Sequence, residues 1–222
     1  GRKKLYHNRR NFGFGKKTGV DAPGEVNAVL SHYSRWSRID VGAISFGHGV
    51  AVTALQLVRA VGAIANGGIL MKPYMVKSVT DSEGRIVKEF KPKKIRRVVS
   101  ADTARIVRNI LKTVITEGGT GTNAALEGYT VAGKTGTARK LSSSGTYDKS
   151  RHIASFVGMA PADKPAVAVL VIIDEPQGSY YGGTVAAPVF KKIVQGTLPY
   201  LNIAPQSNQK RLRVELPSEA RG

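Results

Sequence analysis

Thirteen residues near the middle of the chain, GYTVAGKTGTARK (Gly128 to Lys140), carry the side chains best suited to chemistry. They fit two patterns. Gly128 to Thr135 spells G-x-x-x-x-G-K-[ST], a loop whose backbone N–H groups and lysine cradle nucleotide phosphates. Lys134-Thr135-Gly136 also spells K-T-G, a cationic and hydroxyl-bearing triplet that lines serine acyl-transfer sites. The first chemistry is phosphoryl transfer, and VAVLVIIDE (Val167 to Glu175) supports it, because an apolar run ending in two acids resembles the strand end that holds Mg²⁺. The second is attack of a serine on a carbonyl carbon beside a fixed positive charge.

The elements that must position these residues separate the two. A phosphate cradle needs a strand before it and a helix after it, since the helix N-terminus supplies N–H groups and dipole. Here Thr135 is followed by Gly136, Thr137 and ARKLSSSG, which is poor helix material. Tyr129, Thr130 and Val131 lie inside the would-be loop and favour a strand. Three strands are predicted, over Tyr129 to Lys140, His152 to Ala160 and Ala166 to Asp174, with the turn PADKP between the last two. Strand, tight turn and strand make an antiparallel meander, whereas a cradle and its acidic strand should be parallel neighbours across a helix. The acyl-transfer reading survives. The triplet alone proves little, because Lys17-Thr18-Gly19 is a second copy; VDAPGE follows it, and its Pro and Gly predict a loop.

Two helices are predicted upstream. Thr53 and Gln56 form a capping box before Leu55, Val58, Val61, Ile64 and Ala65, and Asn66-Gly67-Gly68 ends the run. Ser100 caps a second helix with a stripe at Ile106, Val107, Ile110, Leu111, Val114 and Ile115, stopped by Glu117-Gly118-Gly119. Between them, Ile69 to Val79 and Arg85 to Phe90 read as a hairpin around Asp81 to Gly84, and KPKKIRRVV as a basic connector. A last helix fits Val185 to Val194, with Pro188 in its first turn. From Asn202 the chain turns polar and reads as a loose tail.

Composition narrows the partners. Lys and Arg number 34 against 15 Asp and Glu, so the net charge is +19 and an anionic partner is favoured. A solvated basic face with basic linkers is the other account of the same charge. No helix-turn-helix, zinc-finger or RNP pattern accompanies it, so nucleic acid is not an expected partner. There are no cysteines, and His7, His32, His48 and His152 lack metal-ligand spacing, so no metal is expected. No run approaches the ~18–20 apolar residues of a membrane span.

EGGTGTNAALEGYTVAGKTGTARK resembles the third-motif region of class B penicillin-binding proteins, the monofunctional peptidoglycan transpeptidases. NFGFGKKTGVDAPGE, ISFGHGVAVTALQLVRAVGAIANGGILMKPYMV and YYGGTVAAPVFKKI resemble further segments of that family in the same order, from about Asn11 to about Leu201. The cell-division (septal) type is the nearest in appearance. The resemblance implies an α/β (α+β type) fold like that of β-lactamases and transpeptidases, an antiparallel sheet flanked by helices. Residues 1–201 would be the C-terminal part of the transpeptidase domain and 202–222 a polar tail. It implies cross-linking of D-Ala-D-Ala stem peptides through a serine acyl-enzyme that β-lactams trap, with no cofactor. Lys134 and Thr137 would be catalytic, Thr137 through its backbone N–H as an oxyanion donor. Thr135, Gly136, Tyr180 and Tyr181 would bind substrate: Thr135 at the carboxylate, Gly136 by letting the peptide approach, and the tyrosines as an aromatic wall. His152, opposite the K-T-G strand, is expected to have a pairing role.

One departure qualifies this. The family's nucleophile motif S-x-x-K and helper motif S-x-N should precede K-T-G. S-x-N does not occur, and S-x-x-K occurs only as Ser207 to Lys210, after it. The expectation is a piece of a longer chain, anchored by an N-terminal membrane helix with this domain on the extracytoplasmic side and divisome membrane proteins among its partners. A non-catalytic binding module of the same fold and a P-loop nucleotide hydrolase read from GYTVAGKT remain the alternatives. Against the nucleotide reading the prediction is direct: titration with Mg²⁺-ATP should leave the thermal unfolding midpoint unchanged, whereas binding would raise it with ligand concentration.

Overall fold

The structure is a computed structural model and describes residues 1–142 and 146–206. In chain order it contains α1 (Arg2–Asn11), α2 (Arg38–Ser45), α3 (Ala54–Ala65), β1 (Ile69–Lys72), β2 (Ser78–Thr80), β3 (Ile86–Glu89), β4 (Lys93–Arg97), α4 (Ala101–Lys112), β5 (Ala132–Leu141), β6 (Tyr147–Ala160), β7 (Val167–Asp174), α5 (Gly182–Val185) and α6 (Ala187–Tyr200).

The predicted meander is present. Strands β5, β6 and β7 form one antiparallel sheet in that order, with Lys134 opposite Val157 and Phe156 opposite Val171. Alternate side chains of a strand point to opposite faces, so each face of this sheet carries its own apolar layer. On one face Phe156, Ala160 and Val171 pack against Phe190, Val194 and Leu198 of α6. The rings of Phe156 and Phe190 lie 4.8 Å apart, both fully buried. On the other face Ala132, Met159 and Ala162 meet Val61, Ile64 and Ala65 of α3 and Leu111 of α4. The site-bearing strand therefore lies in the middle layer of a helix–sheet–helix stack.

Both helix caps read from sequence are in place. Thr53 Oγ1 accepts the Gln56 N–H while Gln56 Oε1 accepts the Thr53 N–H, and Ser100 accepts the Thr103 N–H. The second helix ends at Lys112, earlier than the glycine pair, and Ile106 and Ile110 of its stripe face outward. Helix α2, which periodicity does not announce, is set by a Ser37–Asp40 capping box.

Three expectations change. The run Ile69 to Val79 is not one strand: Pro73 has no N–H to give a ladder, and the chain breaks there. The basic "connector" is strand β4, paired with β1 so that Leu70 lies opposite Arg96, while β2 and β3 keep the predicted hairpin. Its residues are all exposed, so its hydrogen bonds rather than its pattern make it a strand. At the other end the chain stays docked past Asn202. The Tyr129 hydroxyl donates to the Ile203 carbonyl at 2.8 Å, and the Gln206 N–H donates to the Gly128 carbonyl at 2.6 Å. The remainder of the tail, with Ser207 to Lys210, lies outside the described residues.

The second K-T-G copy is a loop, as expected. Glu25 accepts the N–H groups of Thr18 and Gly19 at 2.5 and 3.0 Å, and Gln56 Nε2 donates to the Lys16 carbonyl at 2.5 Å. Gln56 is fully buried and serves both the cap and this loop. The change Gln56→Ala strands a backbone donor and a backbone acceptor, and should cost about 2 kcal/mol. A lower urea midpoint at unchanged m-value would show it.

Candidate active site

Strand β5 is an edge strand, with β6 on one side and no strand on the other among the described residues. The register fixes which residues share a face. Thr135 and Thr137 lie opposite the buried Phe156 and Ala154, on the α6 face. Lys134 and Gly136 lie opposite Val157 and Ser155, on the face of α3 and α4. The Lys134 side chain is exposed and curls back, its Nζ donating to the Thr135 carbonyl at 2.8 Å and lying 3.5 Å from Thr135 Oγ1.

Two segments close on the strand. The first is the Gly-rich loop before it, where Thr120 Oγ1 and Thr135 Oγ1 are 2.8 Å apart. The second is the start of α5, where the Gly182 N–H donates to Thr137 Oγ1 at 3.3 Å. Asn123 Nδ2 joins the two segments by donating to the Gly183 carbonyl at 2.9 Å. The fit requires glycine at both positions. A Cβ on Gly182 would lie 2.1 Å from the Ser155 carbonyl oxygen, and one on Gly183 would lie 2.0 Å from the Thr120 carbonyl oxygen.

Gly136 also has a neighbour that the sequence did not reveal. A Cβ there would lie 2.4 Å from Ser155 Oγ, so a side chain would force the Ser155 hydroxyl out of its present position.

Tyr180 and Tyr181 stand immediately before this α5 start. Tyr180 stacks on His152 with ring centroids 4.1 Å apart and an interplanar angle of 12°. The tyrosine hydroxyls approach to 3.4 Å, and this hydrogen bond raises the pKa of Tyr181 above the ordinary phenol value. Tyr181 is the more exposed of the two. His152 lies opposite Arg139, the pairing expected of it, and adds the stacking. The structure thus brings all six sequence-predicted residues to one strand and its flanking turn.

The acids that made a phosphate site plausible are engaged elsewhere. Lys140 Nζ contacts Asp174 at 3.0 Å and Glu175 at 2.7 Å, and these bonds, Glu175 first, raise the Lys140 pKa. Arg151 lies 3.6 Å from Glu175, whose N–H donates to the His152 carbonyl at 2.9 Å. This network ties the ends of β5, β6 and β7 together. Sequence reasoning did not single out Thr120, Asn123 or Gly183. Their signal was the density of glycine in GGTGTN and YYGG, which marks close backbone approach without saying to what. Two concavities beside α1, one lined by Lys3, Lys4 and His7 and the other by Trp36 and Val41, include no residue of β5.

Comparison with known proteins gives the family and the fold. The family described as "Penicillin binding protein transpeptidase domain" matches residues 1–195. Stage V sporulation protein D of Bacillus subtilis is 43% identical over 211 residues, which cover 94% of this chain and 32% of that protein. Peptidoglycan D,D-transpeptidase FtsI of Escherichia coli is 39% identical over 197 residues, covering 88% and 32%. Among solved structures, penicillin-binding protein 3 from Mycobacterium tuberculosis, complexed with ampicillin, matches with a TM-score of 0.84 at 33% identity, over 92% of this chain and 47% of that one. The chain spans about a third of the length of the curated relatives it matches. The likeness in structure establishes the mixed fold, an antiparallel sheet flanked by helices.

The closeness of α5 to β5 gives a prediction. The change Gly182→Ala must push α5 away from Ser155 and Gly136, at a cost of about 2 kcal/mol for overpacking. Thermal unfolding followed by circular dichroism should show a midpoint several degrees lower, whereas Gly196→Ala, with no atom near its added Cβ, should not lower it.

Proposed function

The chain belongs to the penicillin-binding protein transpeptidase family, and from that premise we propose that the open edge of β5 is one wall of a peptidoglycan cross-linking site. The observation that carries the reading is a strand edge with no partner among the described residues, bearing an exposed Lys134 beside the hydroxyls of Thr135 and Thr137, which neighbouring segments hold in place.

The donor stem peptide adds to this edge as an extra strand, its main chain bonding to β5 and its D-Ala-D-Ala end lying along Lys134 to Thr137. The terminal carboxylate meets the hydroxyls of Thr135 and Thr137, and the Lys134 ammonium lowers the energy of bringing that anion to the site. A serine from outside these 222 residues attacks the penultimate D-Ala carbonyl. The C–N bond breaks, the terminal D-Ala leaves with a proton on its amine, and the acyl group stays on the serine oxygen. The Thr137 N–H donates to the carbonyl oxygen as it gains negative charge. An amine of a neighbouring stem peptide then takes the acyl group and restores the serine. A β-lactam enters the same path, but its leaving nitrogen stays tethered. Tyr180 and Tyr181 flank the donor peptide.

We read residues 1–201 as the C-terminal part of the catalytic domain. The domain works on the extracytoplasmic side of the cytoplasmic membrane, in cell division, among membrane proteins of the division machinery. Among the described residues no helix is long and apolar enough to cross a membrane.

Fluorescent penicillin tests the assignment. The 222-residue chain alone should not be labelled covalently, whereas the longer protein that adds the serine motifs should be. In that longer protein Lys134→Ala should slow acylation about 100-fold, as removal of a positioned polar group from such sites does. Labelling of the 222 residues alone would overturn the placement of the serine. Absence of labelling in the longer protein would make it a binding module of the same fold.

A further inference from the structure

Thr120 was not among the site residues that the sequence suggested, yet its hydroxyl is 2.8 Å from that of Thr135. A hydroxyl has one proton and two acceptor sites, so two facing hydroxyls share one hydrogen bond in one of two directions. If Thr135 donates to Thr120, its proton is used and it offers an anion only lone pairs. If Thr120 donates to Thr135, the Thr135 proton is free to point outward. Lys134 biases the choice. Its ammonium can only donate, and it lies 3.5 Å from the same Thr135 oxygen. With Thr120 as the second donor, Thr135 Oγ1 would accept from both and direct its own proton to the open edge.

We propose that Thr120 is a positioning residue of the carboxylate subsite: its hydroxyl donates to Thr135 Oγ1 and thereby turns the Thr135 proton toward the carboxylate of an incoming stem peptide or β-lactam. The inference rests on the acyl-transfer reading above and adds one residue to it. The chain of bonds runs from the Thr120 hydroxyl to the Thr135 hydroxyl to the carboxylate. Each bond polarises the next, and the terminal one is charge-assisted and therefore the strongest.

The backbone holds Thr120 where this requires. Its carbonyl oxygen faces Gly183 at a distance that no side chain would permit. The Gly121 N–H donates to the Val114 carbonyl at 2.9 Å, and Asn123 bonds to Gly183. Thr120 and Thr135 therefore meet through two anchored backbones rather than through mobile side-chain stems.

The test uses the longer protein that contains this chain and its serine. Acylation by benzylpenicillin is followed by stopped-flow and resolved into its binding and covalent steps. The isosteric change Thr120→Val keeps shape and removes the hydroxyl; it should slow second-order acylation about tenfold, the order expected for one lost hydrogen bond to a charged partner, with an unchanged melting temperature. Thr120→Ser returns the hydroxyl and should recover the wild-type rate to within about twofold. In a Thr135→Val background, adding Thr120→Val should have no further effect, because the only route from Thr120 to the carboxylate is already cut. A Thr120→Val protein as fast as wild type overturns the proposal. So does a loss that persists in full in the Thr135→Val background, which would mark Thr120 as a packing residue. Wild-type protein that takes up no penicillin overturns the acyl-transfer reading and this inference together, so the two failures are told apart.

Discussion

Among the described residues strand β5 has a neighbouring strand on only one edge, and the rest of the structure holds it in place without covering the other. A strand in the middle of a sheet is fixed by two ladders; an edge strand has one and must be held through its faces and its ends. Here the faces of its sheet are covered by α6, packed on β6 and β7, on one side and by α3 and α4, which meet Ala132 of β5 itself, on the other, through the apolar layers around Phe156 and Met159. The C-terminal end is held by Lys140, which reaches across β6 to the acids that finish β7. The Gly-rich loop and the start of α5 hold the segment between, and both bond to its hydroxyls instead of its outer backbone. The outcome is an ordered main chain with one side still available to a ligand.

Glycine makes that arrangement sterically feasible. Gly182 and Gly183 let the first turn of α5 approach the carbonyl oxygens of Ser155, Gly136 and Thr120. Gly136 gives room to Ser155 on the next strand. The sequence reading assigned the bare Cα of Gly136 to substrate approach alone; the structure shows a demand from within the sheet. One residue can meet both demands, since a side chain there would displace the Ser155 hydroxyl as well as crowd a ligand.

Much of the fold was legible because its signals are local. The capping boxes, the apolar spacing of α3 and the three strand runs each depend on residues a few positions apart. Strand β4 was not legible, since Lys93, Lys94, Arg96 and Arg97 carry no alternation and its existence depends on pairing with β1. Helix α4 kept its predicted start but not its predicted end, because a cap is local, whereas the chain beyond Lys112 is governed by how Ile115 packs on the core beneath α6. The candidate site divides in the same way. Lys134 to Thr137 could be read as a unit because they are contiguous. Tyr180 and Tyr181 came only through resemblance, and Thr120 and Asn123 through neither.

The sequence by itself determined the family and the strand that carries the K-T-G triplet. The glycine after Lys134-Thr135, the β-favouring residues before it and the strand-turn-strand pattern after it argue against a phosphate cradle, and the ordered matches along the chain point to one family. Tertiary structure decided what surrounds that strand. Which hydroxyl meets Thr135, what occupies Asp174 and Glu175, and why Gly182 has no side chain all involve residues 15 to 46 positions apart. Hydrogen bonds and close contacts across such separations depend on distances of a few ångströms. Chain order does not encode those distances; the packing of helices against the two faces of the sheet sets them.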